Sequence, residues 1–136
     1  MARQYLEEDP LFAFIYFSEP DGSGHGCGWG SPEYYAALRT LDEKLGRLIA
    51  FLEENDRMKD TVVLFTSDHG GTERGHGGEI PEHMDTPFIL YGCGVKQGEI
   101  ADVVAGYDVA STVAWILGAE DPQAWRGKPI TSAFGK

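Results

Sequence analysis

Cysteine is nearly absent. Cys27 and Cys93 are the only two in 136 residues, too few for a disulfide framework and lacking the C-x-x-C spacing of a structural zinc or redox site. They leave the compartment open. Basic residues are scarce too: eleven Lys and Arg stand against twenty-two Asp and Glu, a formal net charge of −11. Such a surface repels phosphate backbones and anionic lipid, which excludes duplex nucleic-acid binding through a basic face. Long apolar runs are also missing. The longest, Leu11 to Phe17, falls far short of the roughly 20 residues a membrane helix needs, so no membrane span is expected. Met1 to Pro10 is acidic where a secretory leader is basic and then apolar. What remains is 42% apolar, with no linker, internal repeat or low-complexity tract, so a single domain over residues 1–136 is expected.

Periodicity divides that domain into elements. Arg3 to Glu8 resembles a helix end stopped by Pro10, and Leu11 to Phe17 reads as a buried strand. Ser18 to Gly30 carries glycine at 22, 24, 26, 28 and 30, an alternation that predicts a loop. Ser31-Pro32-Glu33 then supplies an N-cap, a first-turn proline and a first-turn acid. After it, Tyr34, Leu38, Leu41, Leu45, Leu48 and Leu52 recur at spacings of four and three, which predicts a helix over about 31–55. Thr61 to Thr66 is β-branched and apolar without alternation, as in a strand covered on both faces, and this points to a parallel sheet. Ser67 to Thr86 is a long polar loop with glycine at 70, 71, 75, 77 and 78, and loops of that length inside a domain are usually functional. Pro87 to Tyr91 reads as a third strand, and Tyr107 to Leu117 as a second helix closed by Gly118. The sum is a layered α/β domain with a mostly parallel sheet flanked by helices. Both glycine-rich loops would then follow strands and lie side by side, where such sheets bind ligands.

Those two loops hold all four histidines, three of them beside glycine. Asp21-x-x-x-His25 in the first has a metal-ligand spacing, although an Asp that caps a turn and a surface histidine would look the same. The second loop shifts the balance, because Asp68-His69 follows a strand directly and Gly75-His76-Gly77-Gly78 comes soon after. Carboxylate with neutral imidazole is a ligand set for zinc or manganese, whereas calcium takes more oxygen. Five such donors are too many for one catalytic ion and too few for two.

The whole pattern resembles the C-terminal half of the alkaline phosphatase superfamily, nearest to its type I phosphodiesterase/nucleotide pyrophosphatase branch. It runs Asp21-x-x-x-His25, a long helix, a strand ending Thr66-Ser67-Asp68-His69-Gly70-Gly71, then Gly75-His76-Gly77-Gly78 and a Thr86-Pro87-Phe88 strand. Gly92-Cys93-Gly94-Val95, Tyr107-Asp108-Val109-Ala110 and Trp125-Arg126-Gly127-Lys128-Pro129 extend it. The resemblance implies a two-metal centre, zinc or manganese, with Asp21, His25 and His76 on one ion and Asp68 and His69 on the other. It implies a small phosphoester substrate, cleaved at a phosphodiester or nucleotide pyrophosphate bond. It also implies an upstream aspartate and an upstream Thr or Ser nucleophile, and nothing here matches either. The chain therefore reads as part of a larger catalytic domain, with Met1 inside the parent, inactive alone and partnered by a missing N-terminal half. By analogy with relatives, that domain would work in the periplasm or outside the cell.

Other residues have simpler readings. His83 is a rival third ligand to His76 but lacks glycine neighbours, and Cys27 reads as a small thiol rather than a soft ligand. Trp29, Tyr34 and Tyr35 would staple a helix entrance or line a pocket, Arg74 would be solvated, and Ser67 and Thr66 are strand-end residues rather than nucleophiles. Competing functions are a sulfatase, which would use calcium and an upstream modified residue, a cofactor-independent phosphoglycerate mutase, and a non-catalytic metal-binding module.

Overall fold

In a computed structural model of the protein, residues 2–100, 103–120 and 122–135 are described. The elements in chain order are α1 (Ala2–Glu7), α2 (Asp21–Cys27), α3 (Pro32–Glu54), β1 (Val62–Thr66), α4 (Pro81–Met84), β2 (Phe88–Gly92), α5 (Asp108–Ile116) and a 3₁₀ turn, Thr131–Ala133. They fall into two compact units. One comprises Met1–Met58 and His69–Thr86, the other Lys59–Asp68 and Pro87–Lys136.

The first unit is organised by α3. Ser31 caps it, its Oγ accepting the Tyr34 N–H at 3.1 Å, and Pro32 starts the first turn. The leucine stripe then turns Leu41, Phe51 and Leu52 inward. At the far end, the Arg57 guanidinium donates to the Leu6 carbonyl and stands 3.5 Å from Asp9, which ties the end of α1 to the chain beyond α3. Against α3 lies α2, where the sequence predicts a loop. Glycine weakens a helix, but Glu19 Oε2 accepts the Ser23 N–H at 3.0 Å and Asp21 stands in the first turn, both favourable at a helix start. Leu11 to Phe17 forms no regular element and joins no ladder among the described residues, contrary to the predicted buried strand. Leu11, Phe14 and Tyr16 are 86%, 80% and 72% exposed.

In the second unit β1 and β2 pair antiparallel, with Val62 opposite Gly92 and Thr66 opposite Phe88. This corrects the predicted parallel pairing. An unbroken apolar run cannot tell the two directions apart; the connection does. The segment between β1 and β2 contains only the one-turn α4 and re-enters beside the point where it left, so the strands run opposite ways. Beyond them, α5 is locked by buried polar groups. Asp108 accepts the Ala105 N–H at 2.8 Å and the Lys128 N–H at 2.9 Å, while the Thr112 hydroxyl donates to the Asp108 carbonyl at 2.7 Å and accepts the Ile130 N–H at 3.0 Å.

Candidate metal centre

The α2 helix explains the Asp-x-x-x-His spacing. Residues four apart share a helix face, and His25 Nε2 lies 3.5 Å from Asp21 Oδ1. The loop after β1 supplies the facing wall. Its turn is closed by reciprocal bonds between Thr72 and Gly75, 3.0 and 2.9 Å, and offers two successive carbonyls to the end of α2. Glu73 accepts the Trp29 N–H at 2.7 Å, and the Arg74 carbonyl lies 2.9 Å from His25 Nδ1.

That last contact fixes a tautomer. A carbonyl only accepts, so Nδ1 of His25 carries the hydrogen and Nε2 turns its lone pair toward Asp21. His69 is set the same way, its Nδ1 bonded to the Gly70 carbonyl at 2.8 Å and its Nε2 3.9 Å from Asp21 Oδ1. His76 Nε2 stands 3.8 Å from the same oxygen and 3.1 Å from His25 Nε2, with its ring stacked on His69 at 3.6 Å. Three imidazole nitrogens thus converge on Asp21 Oδ1. Although the Asp21 side chain as a whole is half-exposed, Oδ1 itself is buried and accepts no hydrogen bond.

A buried carboxylate oxygen that accepts no hydrogen bond, faced by the Nε2 lone pairs of His25 and His69, is costly unless a cation joins them. The geometry suits one. Ligands about 2.1 Å from a tetrahedral ion stand about 3.4 Å from each other. The three distances among Asp21 Oδ1, His25 Nε2 and His76 Nε2 are 3.5, 3.8 and 3.1 Å, and these three form the one His/Cys/Asp/Glu cluster of metal-holding geometry among the described residues. His69 adjoins this set. Asp68 ends the strand segment of the other unit, exposed and outside the three-donor group.

Aromatic packing closes one side. The Trp29 ring meets His25 edge-on at 5.2 Å and His76 at 6.0 Å, with Tyr34 at 6.2 Å. Trp29 therefore lines the site rather than only stapling α3. Its indole fits because residues 24 and 71 are glycine: a Cβ on Gly24 would stand 2.8 Å from the ring, and one on Gly71 would overlap it. Burial pushes the Tyr34 phenol above its ordinary pKa, helped by Tyr35 and then by Asp21.

One feature lay outside the sequence reading. The carbonyls of Glu73 and Arg74 orient the site, but a backbone group leaves no mark in sequence. His83 is not a ligand, since both its ring nitrogens are engaged elsewhere, with Thr72 and Gly78 at 2.8 Å each. Cys27 is exposed at the end of α2, outside the cluster.

Fold and motif together define a portion of an alkaline-phosphatase-superfamily domain. The chain belongs to the type I phosphodiesterase / nucleotide pyrophosphatase family, whose pattern matches residues 1–88. Among curated proteins it is similar to GPI ethanolamine phosphate transferase 1 of Aspergillus fumigatus, 29% identical over 115 residues, covering 82% of this chain and 11% of that protein. The protein of the same name from Yarrowia lipolytica is 33% identical over 95 residues, 68% of this chain and 10% of that one. The multifunctional alkaline phosphatase superfamily protein PehA of Trinickia caryophylli is 29% identical over 128 residues, 85% and 25%. The chain thus spans about a tenth to a quarter of the length of these relatives. A solved structure, BT4656 in complex with its substrate D-glucosamine-2-N,6-O-disulfate, matches with a TM-score of 0.62 at 24% identity, over 75% of this chain and 22% of that one. At that identity the likeness speaks to fold. No helix among the described residues is long and apolar enough to cross a membrane.

Proposed function

We propose that this chain is the metal-holding portion of an enzyme that cleaves phosphoester bonds, of the phosphodiester or nucleotide pyrophosphate kind. The observation that carries the reading is Asp21 Oδ1, buried, without a hydrogen bond, and faced by three imidazole nitrogens. Asp21, His25 and His76 would hold one divalent ion, with His69 beside them, and a second ion is what the resemblance to the superfamily implies. When bound, zinc or manganese would supply Lewis acidity toward the phosphoryl oxygens and would activate a hydroxyl or water nucleophile.

The chain's own residues prepare that site. The Arg74 and Gly70 carbonyls keep His25 and His69 in the tautomer whose Nε2 is a donor to metal. Trp29 limits water on one side. With a net charge of −11, the protein relies on bound cations rather than Lys or Arg to hold a phosphate. The Thr or Ser nucleophile and a further aspartate belong to the remainder of the catalytic domain, so this chain binds metal without turning over substrate alone. An extracytoplasmic setting follows by analogy.

Two imidazoles in the three-donor set favour zinc or manganese over the all-oxygen site of a calcium-dependent sulfatase. The test is chelation. A complete enzyme carrying this segment loses hydrolysis of nitrophenyl phosphate esters after prolonged EDTA treatment and regains it with zinc or manganese. Activity that survives metal removal contradicts the reading.

A further inference from the structure

We infer that His83 is a positioning residue that fixes the loop carrying His69 and His76 in its ligating shape. The inference rests on the metal-centre reading above and concerns a residue outside the ligand set.

His83 sits in α4 and meets the loop at three points. Its Nδ1 accepts the Gly78 N–H at 2.8 Å, two residues beyond His76. A neutral imidazole then carries its hydrogen on Nε2, which donates to Thr72 Oγ1 at 2.8 Å. Its carbonyl accepts the Gly70 N–H at 2.9 Å, one residue beyond His69. One residue thereby anchors the start, the turn and the end of the segment that presents both histidines.

The loop needs such an anchor. Gly70, Gly71, Gly75, Gly77 and Gly78 lower the cost of alternative conformations, and His76, Gly77 and Gly78 are exposed. The approach is close as well: a Cβ on Gly70 would collide with the Glu82 carbonyl, so α4 and the loop fit only with glycine there. His76 has no carbonyl partner of the kind that orients His25 and His69. Its place is set by the His69 stack, by Trp29 and by the backbone that His83 holds.

The test compares zinc affinity, measured by competition with a chelating dye, with the melting temperature of the metal-free protein. His83→Ala should bind zinc on the order of ten-fold more weakly than wild type, as loss of contacts behind the ligands does, while the metal-free melting temperature changes little. His83→Asn, whose Oδ1 can accept the Gly78 N–H, should recover most of that affinity. If His83→Ala does not fold, Thr72→Val provides the measurement by removing the partner of Nε2, with a smaller loss expected. Wild-type affinity in His83→Ala, or in Thr72→Val where that variant replaces it, overturns the proposal. So does an equal loss in His83→Asn and His83→Ala. Failure of wild type itself to bind zinc overturns the underlying metal reading, a separate and distinguishable result.

Discussion

Asp21 and Asp108 are the same residue at the same place, the first turn of a helix, and their surroundings differ in kind. Asp108 is 7% exposed and both its oxygens accept backbone N–H groups, so it is complete within the chain. Asp21 keeps a buried oxygen that accepts nothing and faces three imidazoles. The first arrangement stabilises a fold; the second, on the function proposed above, stabilises a ligand. A buried carboxylate whose oxygens are filled by N–H groups is structural, and one left with an unfilled oxygen among imidazoles suits a cation.

Substitution separates the two most sharply. Asp21→Asn keeps the shape and removes the charge, and zinc affinity should fall by more than the roughly 10–100-fold typical of contacts behind the ligands. The metal-free melting temperature should hold or rise. Asp108→Ala should do the reverse. It strands the Ala105 and Lys128 N–H groups at a cost of about 3 kcal/mol, read by denaturant unfolding, with zinc bound per folded molecule unchanged. If the two variants behaved alike, the contrast would be broken.

A smaller effect sharpens the account of the site wall. Gly71→Ala drives a methyl group into the Trp29 indole and should cost about 1–3 kcal/mol, as overpacking does. It should also lower zinc affinity, because Trp29 packs on both His25 and His76. The smallest effect concerns Tyr34. Its raised pKa means that folding favours the protonated phenol, so this contribution is full below the ordinary value near 10 and fades as pH rises through the raised one. Tyr34→Phe should flatten the alkaline limb of a stability profile and leave neutral pH unchanged.

Much of this was legible in the sequence because it rests on side-chain periodicity. The stripe from Tyr34 to Leu52 and the Ser31 cap announce α3, and the β-branched run marks β1. The residues that converge, Asp21, His25, His69 and His76, were legible from their spacing. Asp68 was named by the same pattern, and it falls in the other compact unit. What escaped is what side chains do not encode. Alternating glycines hid α2, although a four-residue step between Asp21 and His25 is the step of a helix face. Strand direction was fixed by where the connection returned, and the orienting contacts of Glu73 and Arg74 come from backbone carbonyls. In sequence His83 is a possible ligand like any histidine; its bonds to Thr72 and Gly78, which occupy both ring nitrogens, come from the fold.

The most direct measurement is X-ray absorption at the zinc edge of the zinc-loaded chain, beside the same spectrum for Asp21→Asn. The account predicts one tightly held ion with nitrogen and oxygen ligands at about 2.0–2.2 Å, including two or more imidazoles, and its loss in the variant. A wild-type chain that takes up no zinc, or an identical spectrum from both proteins, would contradict it.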